Sequence, residues 1–379
     1  MLLKFGAENF FCFKEGIEIS LELGPQCPQD ISRGNAISNL LCIKGANGSG
    51  KTNALKIIAF MKDFCCDSFN KKPDNEIVVD SFFNNDNPIC LYCDFIIYDI
   101  TYRYELCLKK EGVLSEKLFR KIKRETLLFH REDNNVAYCT KEFSRLKSFK
   151  QRSNASIIST ANQYEVLAIA PVYSFFDSII TNVSWQGRVD FANNHKYMSK
   201  YYYNNPDVLK KAIKIIKNCD LGISDINVYA QKDEEGEENY FPIFSHDADV
   251  EKNILTFFSQ SLGTQTLFKI IPYYIYAIKT GGLLVMDEFD IDLHPHMLPI
   301  MVKQFDDEEI NPKNAQMLFS THSADILEYM GKYRTVIINK DKSESYGYRL
   351  DEIQGDIVRN DRLLAPVYNS GKIGGVPRI

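Results

Sequence analysis

The octapeptide Gly45-Ala46-Asn47-Gly48-Ser49-Gly50-Lys51-Thr52 leaves this chain few folds to choose from. An apolar run, Leu40-Leu41-Cys42-Ile43-Lys44, leads into it. From Asn53 to Phe64, Leu55, Ile58, Ala59 and Met61 recur at helical spacing. A glycine-rich turn of the form G-x-x-x-x-G-K-T between a buried strand and a helix is a phosphate-binding loop in its confirming context. The glycines let backbone N–H groups turn inward at the positive end of the helix. Gly45, Asn47, Gly48, Ser49, Gly50, Lys51, Thr52 and Asn53 are therefore the candidate nucleotide-binding residues. Lys51 offers charge to the β- and γ-phosphates of ATP, and Thr52 offers a hydroxyl to Mg²⁺.

A second stretch completes that chemistry. Gly282-Leu283-Leu284-Val285-Met286 reads as a strand buried on both faces, and it ends in Asp287-Glu288. Two carboxylates at the end of a buried strand are costly unless a cation meets them. Beside a P-loop, Asp287 is the candidate Mg²⁺ residue and Glu288 the candidate water-positioning, catalytic one. Thr321-His322 follows the strand candidate Gln316–Ser320. His322 at the end of a neighbouring strand is placed to sense a γ-phosphate.

Composition narrows the class. A chain of 379 residues can build one elaborate domain or two. Its net charge of −5 argues against a broad nucleic-acid-binding surface, though a local basic patch remains open. No apolar run approaches the roughly 20 residues of a membrane span. The start, Met1 to Glu8, carries an early acid and no cleavage site, so a cytoplasmic protein is expected. The scattered cysteines, Cys42 and Cys107 among them, read as reduced buried thiols. Cys90-x-x-Cys93 lacks the second pair that a zinc site needs.

Two strands are expected before Leu23, and an antiparallel meander over Ile77–Leu108. Residues 156–203 read as mixed and mainly helical. An amphipathic helix is expected over Pro206–Asn218. Ile226–Tyr229 and Tyr240–Phe244 read as a hairpin around the acidic loop Lys232–Asn239. A helix follows from Pro295 to Asp306. The basic run Lys117, Arg120, Lys121, Lys123, Arg124 and Arg131, continued by Arg145, Lys147, Lys150 and Arg152, is interrupted by acids and reads as a solvated face.

Ser261-Leu262-Gly263-Thr264 opens a long apolar helix to Thr280. Ser261 can cap it, Gly263 lets the backbone approach a ligand closely, and the helix start offers a second anion site. Pro272 should kink this helix or end a turn. One P-loop plus a second phosphate-binding helix start invites a homodimer: each ATP lies between the P-loop of one chain and Ser261 and Gly263 of the other.

Taken together, Gly45–Thr52, Ser261–Thr264, Leu283–Glu288, Leu293-His294-Pro295 and Thr321-His322 resemble the ABC-type ATPases of the SMC/RecF/OLD branch. The opening strands around Asn9-Phe10 are similar to those of that branch. The tail Tyr368–Pro377 narrows the resemblance to stand-alone AAA/ABC-like ATPases of bacterial phage defence, of the AbiL, RloA and PARIS kinds. The resemblance implies an α/β ABC-ATPase head: a P-loop core sheet plus an antiparallel β meander, with an inserted, mainly helical lobe. It divides the chain into 1–150, 151–255 and 256–379. It implies ATP hydrolysis with Mg²⁺, a homodimer or higher oligomer, and a switch or scaffold acting on a separate effector such as a nuclease. The segment after His322 is too short for a Toprim nuclease. The sequence does not place the family's metal-side glutamine, for which Gln163 and Gln186 are both candidates. The alternative is a RecF-like DNA repair ATPase; a transporter subunit is remote.

Overall fold

The computed structural model describes residues 1–189, 195–219, 222–232, 236–247 and 253–376. Residues 233–235 of the expected hairpin loop, and Pro377 of the tail, lie outside them.

A six-stranded sheet carries the P-loop. Its order is Glu344–Arg349, Thr335–Asp341, Leu40–Gly45, Gln316–Ser320, Leu283–Met286 and Ile179–Thr181. All neighbours pair in parallel except the first two strands, which form an antiparallel hairpin. The central strands have no solvent face, which is why they read as unbroken apolar runs rather than alternating ones. Leu41, Ile43, Val285, Leu318 and Ile338 point into one core, while Leu40, Cys42, Leu284, Met286, Met317 and Phe319 point into another. The P-loop strand is thus gripped from both sides.

The first core is roofed by a seven-stranded antiparallel sheet in the order Ile17–Ser20, Leu2–Glu8, Ile89–Ile97, Ile100–Lys109, Gly112–Lys121, Glu125–Glu132 and Asn135–Cys139. The P-loop helix, Lys51–Asp67, lies between the two sheets with Leu55, Ile58, Met61 and Phe64 buried. The second core holds the helix Leu262–Thr280 and the helix Met297–Asp306. The meander extends past the expected limit, to Cys139, because the basic run is itself strand-forming. Its alternation places Leu118 and Phe129 inward and most of the charges outward.

Several expectations change. Pro272 is buried within a helix that continues to Thr280 and ends at Gly281 in the left-handed conformation. Within 151–255 the expected amphipathic helix and hairpin form, as Pro206–Cys219 and as Ile223–Lys232 paired with Glu238–His246, but the region also supplies the unexpected edge strand Ile179–Thr181 and a short hairpin, Val183–Ser184 with Gly187–Arg188. Cys107 is not a reduced thiol. Strand register sets it directly opposite Cys90, and the two are disulfide-bonded. Arg131 and Arg152 leave the solvated face. Arg131 is 0% exposed and paired with Glu116, also 0% exposed, while Arg152 donates to the Phe69 and Lys71 carbonyls. No described helix is long and apolar enough to cross a membrane.

Candidate functional site

The P-loop begins where the strand Leu40–Gly45 leaves the sheet. At Gly45 a side chain is excluded by packing: a Cβ there would lie 2.4 Å from Ser49 Oγ and 2.5 Å from the Ile338 carbonyl. At Gly50, which caps the following helix, φ is 113°, a conformation that favours glycine. Lys51 folds back so that Nζ donates to the carbonyls of Gly45 (3.0 Å) and Ala46 (3.1 Å). Burial holds its ammonium below the ordinary lysine value, with Asp287, Glu288 and Asp290 pulling the other way. The Ser49 hydroxyl is buried with no hydrogen-bond partner. A desolvated cation and an orphaned hydroxyl both suit a phosphate. The loop opens on a cleft of about 360 Å³ lined by Cys12, Lys51, Thr52, Glu288, His322 and Lys340, among others.

The acid strand meets the P-loop helix across this cleft. Thr52 Oγ1 donates to Asp287 Oδ2 at 2.7 Å, and Ser320 Oγ donates to Asp287 Oδ1 at 2.5 Å. Asn182 clamps the Asp287 backbone, accepting from its N–H (2.7 Å) and donating to its carbonyl (3.0 Å). The carboxylate is thus aimed at Thr52. Two oxygen ligands on rigid elements fit Mg²⁺, a hard ion that keeps several waters and draws other ligands from substrate phosphates. Glu288 turns away from Asp287 through a left-handed backbone, φ 48°, and its N–H donates to Ser320 Oγ at 2.8 Å. Its carboxylate meets Arg188 Nη1 at 3.2 Å and His322 Nε2 at 3.9 Å. Asp290 accepts from the backbone N–H groups of His322 and Ser323, and so fixes the turn that presents His322.

Lys51, Thr52, Asn53, Glu288 and His322 therefore share one cleft with Asn47, Gly48 and Gly50. Ser261 and Gly263 do not line it. Ser261 Oγ accepts from Thr264 N at 3.1 Å, capping its helix, and is itself exposed. A Cβ on Gly263 would lie 2.7 Å from the Asp292 carbonyl, so this glycine serves the packing of the loop after the acid strand. Of the two glutamine candidates, Gln186 sits in the hairpin whose Gly187 faces Thr52, whereas Gln163 ends a buried helix packed on the far end of the P-loop helix, where Ser159 Oγ donates to the Cys66 carbonyl. Asn182, Arg188, Ser320, Asp290, Cys12 and Lys340 also stand at the site, outside the candidate residues of the sequence motifs. Ser320, immediately before Thr321-His322, was open to recognition. Asn182 and Arg188 lay in a stretch without strand alternation and gave no signal.

A P-loop, an acid strand two positions away in a parallel sheet, and a roofing antiparallel sheet define the class: an ATPase of the ABC/SMC-head type. The chain belongs to the family described as "AAA domain, putative AbiEii toxin, Type IV TA system", whose profile matches residues 40–328. Among solved structures, the SMC head bound to the C-terminal winged-helix domain of ScpA superposes with a TM-score of 0.54 at 12% identity, covering 93% of this chain and 99% of that one. The SMC head domain from Thermotoga maritima aligns at 13% identity and a TM-score of 0.45, with coverage of 93% and 99%. No curated protein matches the chain.

Proposed function

We propose that this chain binds and hydrolyses Mg²⁺·ATP, and that two copies close over two nucleotides, each held by one copy's P-loop and the other's Ser261–Gly263 turn. The observation that carries this is the pairing of Thr52 with Asp287 at 2.7 Å beside Glu288, in a cleft that Ser261 and Gly263 of the same chain do not reach. Thr52 and Asp287 would hold Mg²⁺, which when bound would supply charge that neutralises the phosphate oxygens. Lys51 exchanges two carbonyls for phosphate oxygens. Ser49 gains the acceptor it lacks. Glu288 orients a water in line with the terminal phosphate, and His322 binds that phosphate from the adjacent strand.

Closure on ATP and opening after hydrolysis form a switch, and the readout is a separate effector in an abortive-infection response. The family's association with an abortive-infection toxin supports that setting. A solved head of this fold carries a bound partner domain, which supports an effector docked in trans. The RecF-like alternative has less to stand on, because Arg131 and Arg152 are consumed inside the fold.

Complementation between two inactive chains tests the shared site. Lys51→Ala removes one chain's P-loop function, and Ser261→Arg blocks one chain's helix start. Each alone is expected to be inactive as a homodimer. Mixed, they form heterodimers with one intact composite site, recovering about a quarter of wild-type phosphate release at random pairing. No recovery, from variants shown to fold and to pair, would overturn the two-chain site.

A further inference from the structure

Arg188 lies on the short hairpin Val183–Arg188, outside every motif named above. The hairpin rests on the P-loop helix, where a Cβ on Gly187 would stand 3.8 Å from Thr52 Cγ2. Its base is tied to the acid strand, since Asn182 both accepts from and donates to the Asp287 backbone. The Arg188 guanidinium is therefore carried on a support fixed to both halves of the site. From there it donates to Glu288 Oε2 at 3.2 Å, with Arg188 about one-quarter exposed and Glu288 about two-fifths exposed. An ion pair this open contributes little to stability. Its position calls for another account: it grips the one carboxylate that must point at the attacking water.

The backbone of Glu288 makes that grip necessary. Glu288 occupies the left-handed region, which a non-glycine residue adopts at a cost. Its N–H is held by Ser320 Oγ, but among the described residues the carboxylate at the far end of the side chain meets only Arg188 and His322. His322 Nε2 at 3.9 Å is loose, and Arg188 is the closer of the two.

We propose that Arg188 is a positioning residue for hydrolysis, acting in cis. It holds the Glu288 carboxylate toward the terminal phosphate, and its remaining N–H groups face the negative charge that develops there. The proposal rests on Glu288 being the water-orienting residue. A guanidinium suits the task because its planar fork can serve a carboxylate and a phosphate at once.

The test compares wild type, Arg188→Ala, Arg188→Lys, Glu288→Gln and the Arg188→Ala/Glu288→Gln double variant. Single-turnover and steady-state hydrolysis of Mg²⁺·ATP are measured, with thermal melting as a control. Arg188→Ala is expected to lower kcat about 10- to 100-fold, with KM within about threefold and the melting temperature unchanged. Arg188→Lys is expected to recover part of the loss. If Arg188 works through Glu288, the double variant hydrolyses within about threefold of Glu288→Gln alone. Wild-type kcat in Arg188→Ala, or a double variant slowed by the full product of the two single effects, overturns the proposal. Wild-type turnover in Glu288→Gln instead overturns the assignment of Glu288, so the two failures are told apart.

Discussion

Glu288→Gln should keep ATP binding within a few-fold of wild type while hydrolysis falls by about a hundred- to ten-thousand-fold. The amide retains the size of the side chain and the backbone bond to Ser320, so the turn is preserved. What it loses is the negative charge that orients and polarises a water, and the ion pair with Arg188. Thr52, Asp287 and Lys51 are untouched, so nucleotide still enters. A site that binds but does not turn over should hold the closed state. Glu288→Gln with Mg²⁺·ATP is therefore expected to sediment as a dimer or larger assembly, and wild type to do so only transiently. Isothermal titration, phosphate release and analytical ultracentrifugation check the three parts. Normal turnover would falsify the role given to Glu288.

The largest stability effect is expected far from the cleft. Arg131→Met should cost about 3–5 kcal/mol, because it strands a charge instead of removing a pair. Arg131 Nη1 reaches Glu116 Oε2 at 3.4 Å and the Ala155 carbonyl at 2.6 Å, while Nη2 donates to the Arg152 carbonyl at 2.6 Å. Glu116 also accepts from Ile157 N–H and the Tyr104 hydroxyl, both at 2.9 Å. The variant keeps the buried carboxylate and leaves the carbonyls of Asp133, Arg152 and Ala155 without the donor they had. Burial already raises the Glu116 pKa, and Arg131 is the main force opposing that rise. Without Arg131 the folded-state value climbs further. A raised carboxyl favours the folded state below its unfolded pKa and loses that advantage as pH rises through the folded value. The deficit should therefore be larger at pH 8 than at pH 5. Adding Glu116→Gln should return part of the loss by removing the stranded charge. Guanidinium unfolding at the two pH values measures this; a pH-independent deficit would point to lost packing alone.

Legibility in the sequence followed how local each constraint is. The P-loop is a contiguous motif whose glycines answer to backbone geometry within eight residues, so Gly45 to Thr52 could be read directly. The acid strand announced itself because burial on both faces forbids alternation. What stayed hidden came from pairing between distant segments. The strand Ile179–Thr181 is too short to show a period, yet it brings Asn182 and Arg188 to the site. Arg131 looked like one more surface charge, since nothing near it in sequence reveals that Glu116 faces it from the neighbouring strand. The Cys90–Cys107 bond likewise depends on register between two strands.

The place of the P-loop strand in its sheet also sets a timetable for synthesis. Leu40–Gly45 pairs with Gln316–Ser320 on one side and Thr335–Asp341 on the other. Both neighbours leave the ribosome long after it. At about 5–20 residues per second, the nascent strand waits on the order of tens of seconds for its partners. During that time an apolar segment with two open edges is exposed in the growing chain, the kind of segment that chaperones cover and that aggregates when they do not. The cleft itself is unfinished in that interval, because Glu288, His322 and Lys340, which line it, are made long after the P-loop. Completion of the cleft is thus a late event in the life of each molecule, and it reports that segments far apart in sequence have found one another.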